Sequence, residues 1–114
     1  MKKELTDRRQ SGERRRAKRY SVSIEIDFDR GGERHLGTIS DLSESGCFVL
    51  SGTEVIDNEE VGIYLPIGDG MKAQIGGVIT NHVYEIGFAV RFISLSEAQR
   101  NVLRNYLLTD ADMA

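Results

Sequence analysis

The sequence has 114 residues, of which 39% are hydrophobic and 29% charged, and its formal net charge is −3. This composition is typical of one globular domain with a modest core, and no apolar run is long enough to span a bilayer. The single cysteine, Cys47, excludes an internal disulfide. Because no apolar leader segment is present either, we expect a cytoplasmic protein without membrane insertion.

Charge is divided unevenly along the chain. Residues 1–19 contain nine basic and three acidic side chains, whereas residues 20–114 contain six basic and fifteen acidic ones. A basic segment on an acidic body favours a local anion site over a surface that coats nucleic acid. Residues 1–13 are polar, and we expect them to form a flexible basic arm, with the folded domain spanning residues 14–114.

The pattern from Tyr20 onward predicts six short strands. Apolar and polar side chains alternate over residues 20–28, which is typical of a half-buried strand. Glycine turns and polar loops separate this segment from five more strands, at residues 34–41, 47–50, 61–67, 71–82 and 84–93. Gly76 and Gly77, at the centre of the fifth strand, predict a bend of the kind that a closing barrel needs.

After the sixth strand the apolar spacing changes to that of a helix. Ser94 or Ser96 can cap this helix, and its apolar stripe consists of Ala98, Val102, Leu103, Tyr106 and Leu107. The predicted fold is therefore mainly β, a six-stranded antiparallel barrel with a C-terminal α-helix that covers an opening.

Two short motifs carry chemistry suited to a guanine nucleotide. Arg15 and Arg19 have the form RxxxR, with Arg14 directly before them, and residues 41–46 read DLSESG, of the form DxSxxG. Arginine matches phosphate oxygens and the O6/N7 edge of guanine, while a carboxylate accepts hydrogen bonds from guanine N–H groups. Residues four apart project to the same side of a strand or a helix, so Arg15 and Arg19 can converge on one ligand.

Both motifs in this order, with the barrel and the terminal helix, resemble the PilZ domain, the bacterial receptor module for cyclic di-GMP. The resemblance covers roughly residues 8–108, and GFAVRF at residues 87–92 is similar to the last strand of that family. It implies that Arg15 and Arg19 grip phosphates and guanine edges and that Asp41 and Ser43 hydrogen-bond a guanine. Gly46 is expected to let the backbone turn close to the ligand, with backbone angles that a side chain would penalise.

The arginine before RxxxR is similar to that of PilZ domains that bind an intercalated pair of cyclic di-GMP molecules. Arg14 therefore predicts two ligands per chain. Arg8 and Arg9 are additional candidates for contact with the same ligand, although the motif does not assign them. Binding is expected to order residues 8–19 and to change the surface shown to a downstream protein, so that the chain acts as a receptor or adaptor.

Two other functions stay open. A small β-barrel can bind single-stranded nucleic acid through a basic arm, but this arm has no aromatic side chain before Tyr20 on which bases would stack. The chain can also be a PilZ-like adaptor that does not bind the ligand. We expect no cofactor and no metal, because His35 and His82 lack a further ligand at metal spacing. The sequence offers no nucleophile paired with a base, so we do not expect an enzyme. Cys47 is expected in the core. The chain is expected to be a monomer or a weak dimer.

Overall fold

The structure is a computed structural model that describes residues 18–113, with side chains described to residue 108. Over these residues it contains the strands and the helix β1 Tyr20–Arg30, β2 Glu33–Leu42, β3 Gly46–Leu50, β4 Glu60–Gly68, β5 Met71–Val83, β6 Gly87–Phe92 and α1 Glu97–Met113. The strands form a closed barrel in the order β1-β2-β3-β6-β5-β4, and every neighbouring pair is antiparallel. The predicted mainly-β barrel with a C-terminal helix is confirmed, while the predicted arm at residues 1–13 lies outside the described residues.

The inward-facing side chains of the strands fill the barrel. In β1, Ile24, Ile26 and Phe28 are buried, as the alternation predicted. Phe28 meets Phe88 of β6 edge to face, with ring centroids 5.1 Å apart, and each buried side chain of this size stabilises the fold by about 1.5–3 kcal/mol. Cys47 is fully buried, as predicted, and burial raises the pKa of its thiol to about 12.

The helix α1 begins at a capping box and packs an apolar stripe on the barrel. The Ser96 hydroxyl accepts a hydrogen bond from the Gln99 amide at 3.1 Å, and the Gln99 side chain accepts one from the Ser96 amide at 2.8 Å. Leu103 and Leu107 are buried. Ala98 is exposed, so its predicted place in the stripe is wrong. Among residues 18–113, no helix is long and apolar enough to cross a bilayer.

The predicted start of the sixth strand at residue 84 is also wrong, because residues 84–86 form a turn before β6. The Ile86 amide donates to the Val83 carbonyl at 2.9 Å, which closes the turn. Glu85 has a φ of 63°, in the left-handed region. A residue in that conformation cannot continue an extended strand, so β6 begins only at Gly87.

The paired glycines of β5 allow a close approach between strands. A Cβ on Gly77 would lie 2.4 Å from Cγ1 of Val90 and 3.0 Å from the carbonyl oxygen of Arg91, both in β6. Gly76 has more room, since its nearest neighbour would be Ile93 at 3.8 Å. The irregularity in the pairing of β5 with β6 lies further along, between Ile79 and Asn81. Gly77, and not Gly76, therefore lets β5 and β6 pack closely, and the irregularity follows it along the strand.

Candidate functional site

The start of β1 and the end of β2 bring residues of the two motifs together. Arg19 immediately precedes β1, and Ser21 pairs with Asp41 in the register of β1 with β2. As a result, Nη1 of Arg19 donates a hydrogen bond to Oδ1 of Asp41 across 22 residues of sequence. The structure thus joins the last arginine of RxxxR to the first residue of DxSxxG.

The Arg19–Asp41 pair lies at the surface, where a ligand can reach both partners. The side chains of Arg19 and Asp41 are 53% and 34% exposed. An ion pair exposed to this extent stabilises a fold by only about 0–1 kcal/mol. The guanidinium has further N–H donors and the carboxylate a second oxygen. The pair therefore offers donors for an anion beside an acceptor for N–H groups, at little cost to the fold if a ligand rearranges it.

Ser43 is the buried residue that shapes the DLSESG turn. Its hydroxyl accepts hydrogen bonds from the amides of Ser45 and Gly46, both at 3.1 Å, and lies 3.0 Å from the Ser45 hydroxyl. The Ser43 amide donates to the Gly46 carbonyl at 2.9 Å. With 0% of Ser43 exposed, its hydroxyl is occupied inside the turn. The expected bond from Ser43 to a guanine stays a prediction.

Gly46 occupies a position where β3 and β6 approach closely. A Cβ there would lie 2.1 Å from the carbonyl oxygen of Val90, far inside contact distance. Its φ is not in the left-handed region, in contrast to Gly31, Gly32 and Gly68. The predicted reason for this glycine, backbone angles that a side chain would penalise, is therefore wrong. The reason is the neighbouring strand, which leaves no space for a side chain.

The DLSESG turn is also held by β6 and by α1. The Phe92 amide, at the end of β6, donates to the Ser45 carbonyl at 2.9 Å. Nε of Arg104 in α1 lies 3.6 Å from Oε2 of Glu44. These contacts, added to the internal bonds of Ser43, fix the position of Asp41 relative to the barrel. The turn is the rigid half of the candidate site.

Arg91 is a further candidate, and it belongs to neither of the two motifs. It lies in β6 directly opposite Gly46 and is exposed. Most cations of residues 20–108 are paired with carboxylates, namely Arg30, Arg34, Lys72 and Arg104. Arg91 has no carboxylate partner among the described residues. Only the pairing of β3 with β6, which joins segments 45 residues apart, places this unpaired guanidinium beside the DLSESG turn.

The remaining candidates lie in the N-terminal segment. Arg8, Arg9, Arg14 and Arg15 are outside the described residues. At the edge of the described part, the Lys18 ammonium lies 5.5 Å from the centroid of the Tyr20 ring, within the range of a cation–π contact. Within residues 18–108, no three histidine, cysteine, aspartate or glutamate side chains are grouped so that they could hold a metal ion.

Several solved structures have the same fold. The PilZ domain of YcgR from Escherichia coli with c-di-GMP superposes with a TM-score of 0.74 at 15% identity, covering 88% of this chain and 93% of that one. PlzA of Borreliella burgdorferi in complex with c-di-GMP gives 0.68 at 15% identity and 88% coverage. The MrkH–c-di-GMP complex of K. pneumonia gives 0.66 at 19% identity and 83% coverage.

The chain spans only part of some of these proteins, 43% of the PlzA chain and 51% of the MrkH chain. No curated protein matches it. A family model described as PilZ domain, however, matches residues 13–109. This match covers both motifs, the whole barrel and most of α1, and the chain therefore belongs to the PilZ domain family.

Proposed function

We propose that this chain is a receptor for cyclic di-GMP that binds the nucleotide on the outer barrel surface beside the DLSESG turn. The observation that carries the proposal is the contact between Arg19 and Asp41, which joins the two motifs in one exposed place. Membership of the PilZ family and the fold shared with PilZ domains solved with c-di-GMP support the same ligand.

The chemistry of the site suits this ligand. Asp41 accepts hydrogen bonds from the N–H edge of a guanine, and Arg19 donates to a phosphate or to guanine O6 and N7. The ligand carries two phosphodiester charges, which an acidic body would repel, so cations at the site have to offset this repulsion. Arg91, in β6 beside the turn, provides one of these cations. Ser43, which the family resemblance also places on the guanine, positions Asp41, since its bonds hold the turn that carries this residue.

The N-terminal arginines supply the other half of the site in this proposal. Arg15 binds phosphate and guanine together with Arg19, and Arg14 contacts the second of two intercalated ligand molecules. Arg8 and Arg9 are additional contacts. The bound nucleotide then orders residues 8–19 against the barrel, and the new surface is what a downstream protein recognises. The proposal rests here on the resemblance of residues 14–19 to PilZ domains that bind a ligand pair.

Isothermal titration calorimetry with cyclic di-GMP tests the proposal. We expect binding with two ligands per chain, reduced to one by Arg14→Ala and abolished by Arg15→Ala or Arg19→Ala. Arg34→Ala is the matched control for Arg19→Ala, because the Arg34 side chain is 55% exposed and also pairs with a carboxylate, but lies at the other end of the barrel. Absence of heat at tens of micromolar ligand, or displacement of bound nucleotide by single-stranded RNA, would contradict the proposal.

A further inference from the structure

A second surface lies at the end of the barrel opposite the DLSESG turn. It is a groove of about 260 Å³ between the β3–β4 loop, residues 51–59, and the β5–β6 turn, residues 84–86. Strand β3 runs from Gly46 in the DLSESG turn to Leu50 at this end, a distance of ~13 Å at 3.3 Å per residue. Among the described residues of the candidate nucleotide site, namely Arg19, Arg91 and residues 41–46, none lines this groove.

Large apolar side chains are exposed in and around the groove. Ile56 and Tyr84 line it with 66% and 70% of their surface exposed. Val83, also in the lining, and Leu50 and Ile86, which adjoin it, are exposed as well. Exposed apolar residues scattered singly are common, but a group at one place marks an interaction surface. These five residues come from three segments that only the closed barrel brings together.

The walls of the groove are already fixed in shape. Arg30 donates from Nε and Nη2 to the Glu59 carboxylate at 3.0 and 3.2 Å, and Glu59 also accepts from the Ile56 amide at 3.1 Å. Burial disfavours the charged form of Glu59, but these hydrogen bonds outweigh it and lower its pKa. Nδ1 of His82 lies 2.7 Å from Oδ1 of Asp57. A surface held in this way loses little conformational entropy when a partner binds.

The rim of the groove is acidic. Glu54 and Glu85 line it without a cation partner in the described part of the chain, whereas the only arginine of the lining, Arg30, is neutralised by Glu59. A partner that fills the apolar floor must therefore place positive charge at the rim. The acidic rim also distinguishes the ligands of the two ends of the barrel, because it would repel a nucleotide phosphate.

We propose that this groove docks a short segment of a partner protein in which an apolar side chain is flanked by lysine or arginine. The apolar side chain packs between Ile56 and Tyr84, and the cations meet Glu54 and Glu85. The proposal does not rest on nucleotide binding, since the two surfaces share none of the residues that the structure describes. It implies that the chain can hold its ligand and its partner at the same time, at opposite ends of one barrel.

A phage-displayed library of random short peptides, selected on the full chain without nucleotide, provides the probe. We expect the selected peptides to combine an apolar or aromatic residue with adjacent lysine or arginine. In fluorescence anisotropy, Tyr84→Ala and the double variant Glu54→Gln/Glu85→Gln should each weaken these peptides about tenfold. Met71→Ala and Glu25→Gln are the matched controls, because they remove an exposed apolar and an exposed acidic side chain outside the groove.

Three outcomes overturn the proposal. The first is a selection in which no peptide loses affinity for the Tyr84→Ala variant, or in which the peptides lose as much affinity for the control variants. The second is a set of groove-dependent peptides without basic residues. The third is self-association of the chain in sedimentation velocity that Tyr84→Ala abolishes, since the groove would then hold a second copy. Circular dichroism of each variant separates a lost contact from a lost fold.

Discussion

Replacing Ser43 with alanine distinguishes a residue that builds the site from one that touches the ligand. The hydroxyl is the acceptor for the Ser45 and Gly46 amides, and Gly46 is buried. Ser43→Ala leaves both amides without this acceptor. A buried donor without a partner costs about 1–3 kcal/mol, and a partly solvated one less. We therefore expect Ser43→Ala to lower the free energy of unfolding by about 2–3 kcal/mol, a large share of the ~5–15 kcal/mol typical of a domain.

Urea unfolding of Ser43→Ala, followed by circular dichroism, measures this loss, with Ser23→Ala as the control because Ser23 is exposed in β1. Calorimetry with cyclic di-GMP on the same samples gives the second quantity. A positioning role predicts that stability and affinity fall together, since Asp41 moves when the turn loosens. If affinity falls while the unfolding free energy changes by less than ~0.5 kcal/mol, the reasoning fails and the hydroxyl contacts the guanine directly.

Three further predictions concern single side chains. Gly46→Ala should destabilise the fold by at least ~1–3 kcal/mol in urea unfolding, because its Cβ would overlap the Val90 carbonyl, whereas Gly52→Ala, with nothing within 4 Å, should be nearly neutral. Arg91→Ala should weaken cyclic di-GMP about tenfold or more in calorimetry, with Arg34→Ala unchanged. Lys72 and Arg34 donate hydrogen bonds to Asp27 and lower its pKa. The contribution of the Asp27 carboxylate to the free energy of unfolding is therefore full above the ordinary pKa of 3.8 and is lost as the pH falls below it. Asp27→Asn should flatten the acid side of a plot of unfolding free energy against pH.

The barrel was predictable because its signal is local. The alternation over residues 20–28 indicates a strand whichever other strand it pairs with. The serine and glutamine of the capping box are only three residues apart. The two wrong predictions, the start of the sixth strand and the burial of Ala98, arose because the same sequence pattern is compatible with two structures. Residues 84–86 include an aromatic and a β-branched side chain, which favour strands, but the left-handed Glu85 makes them a turn. Ala98 has the spacing of the apolar stripe, yet a methyl group is too small to determine which side faces the barrel.

The sequence predicted the site residues that lie in the two motifs, but not the features of the site that depend on the register of distant strands. An antiparallel β1 and β2 bring Arg19 near Asp41. The motifs predicted that both residues bind one ligand, but not the direct contact between them. The close packing on Gly46 and the placement of Arg91 both depend on β6, which lies more than 40 residues further along the chain. No local pattern encodes that register. The burial of the Ser43 hydroxyl was missed for a related reason, because a DxSxxG turn does not reveal which of its polar groups it uses internally.

The packing of β3 on β6 also constrains how a nucleotide signal can travel. Gly46 meets the Val90 carbonyl at one end of this strand pair, and Gly87 meets the Val49 carbonyl at the other, where a Cβ would lie 2.1 and 2.2 Å from these oxygens. No side chain fits between the two strands at either end, and sliding one strand along the other would break the hydrogen bonds of the pair. The β3–β6 pair, which connects the DLSESG turn with the groove, therefore resists sliding. The proposed signal therefore passes through the N-terminal segment and not through this strand pair. Under the two proposals together, a partner docked in the groove responds to the nucleotide only when it also contacts that segment.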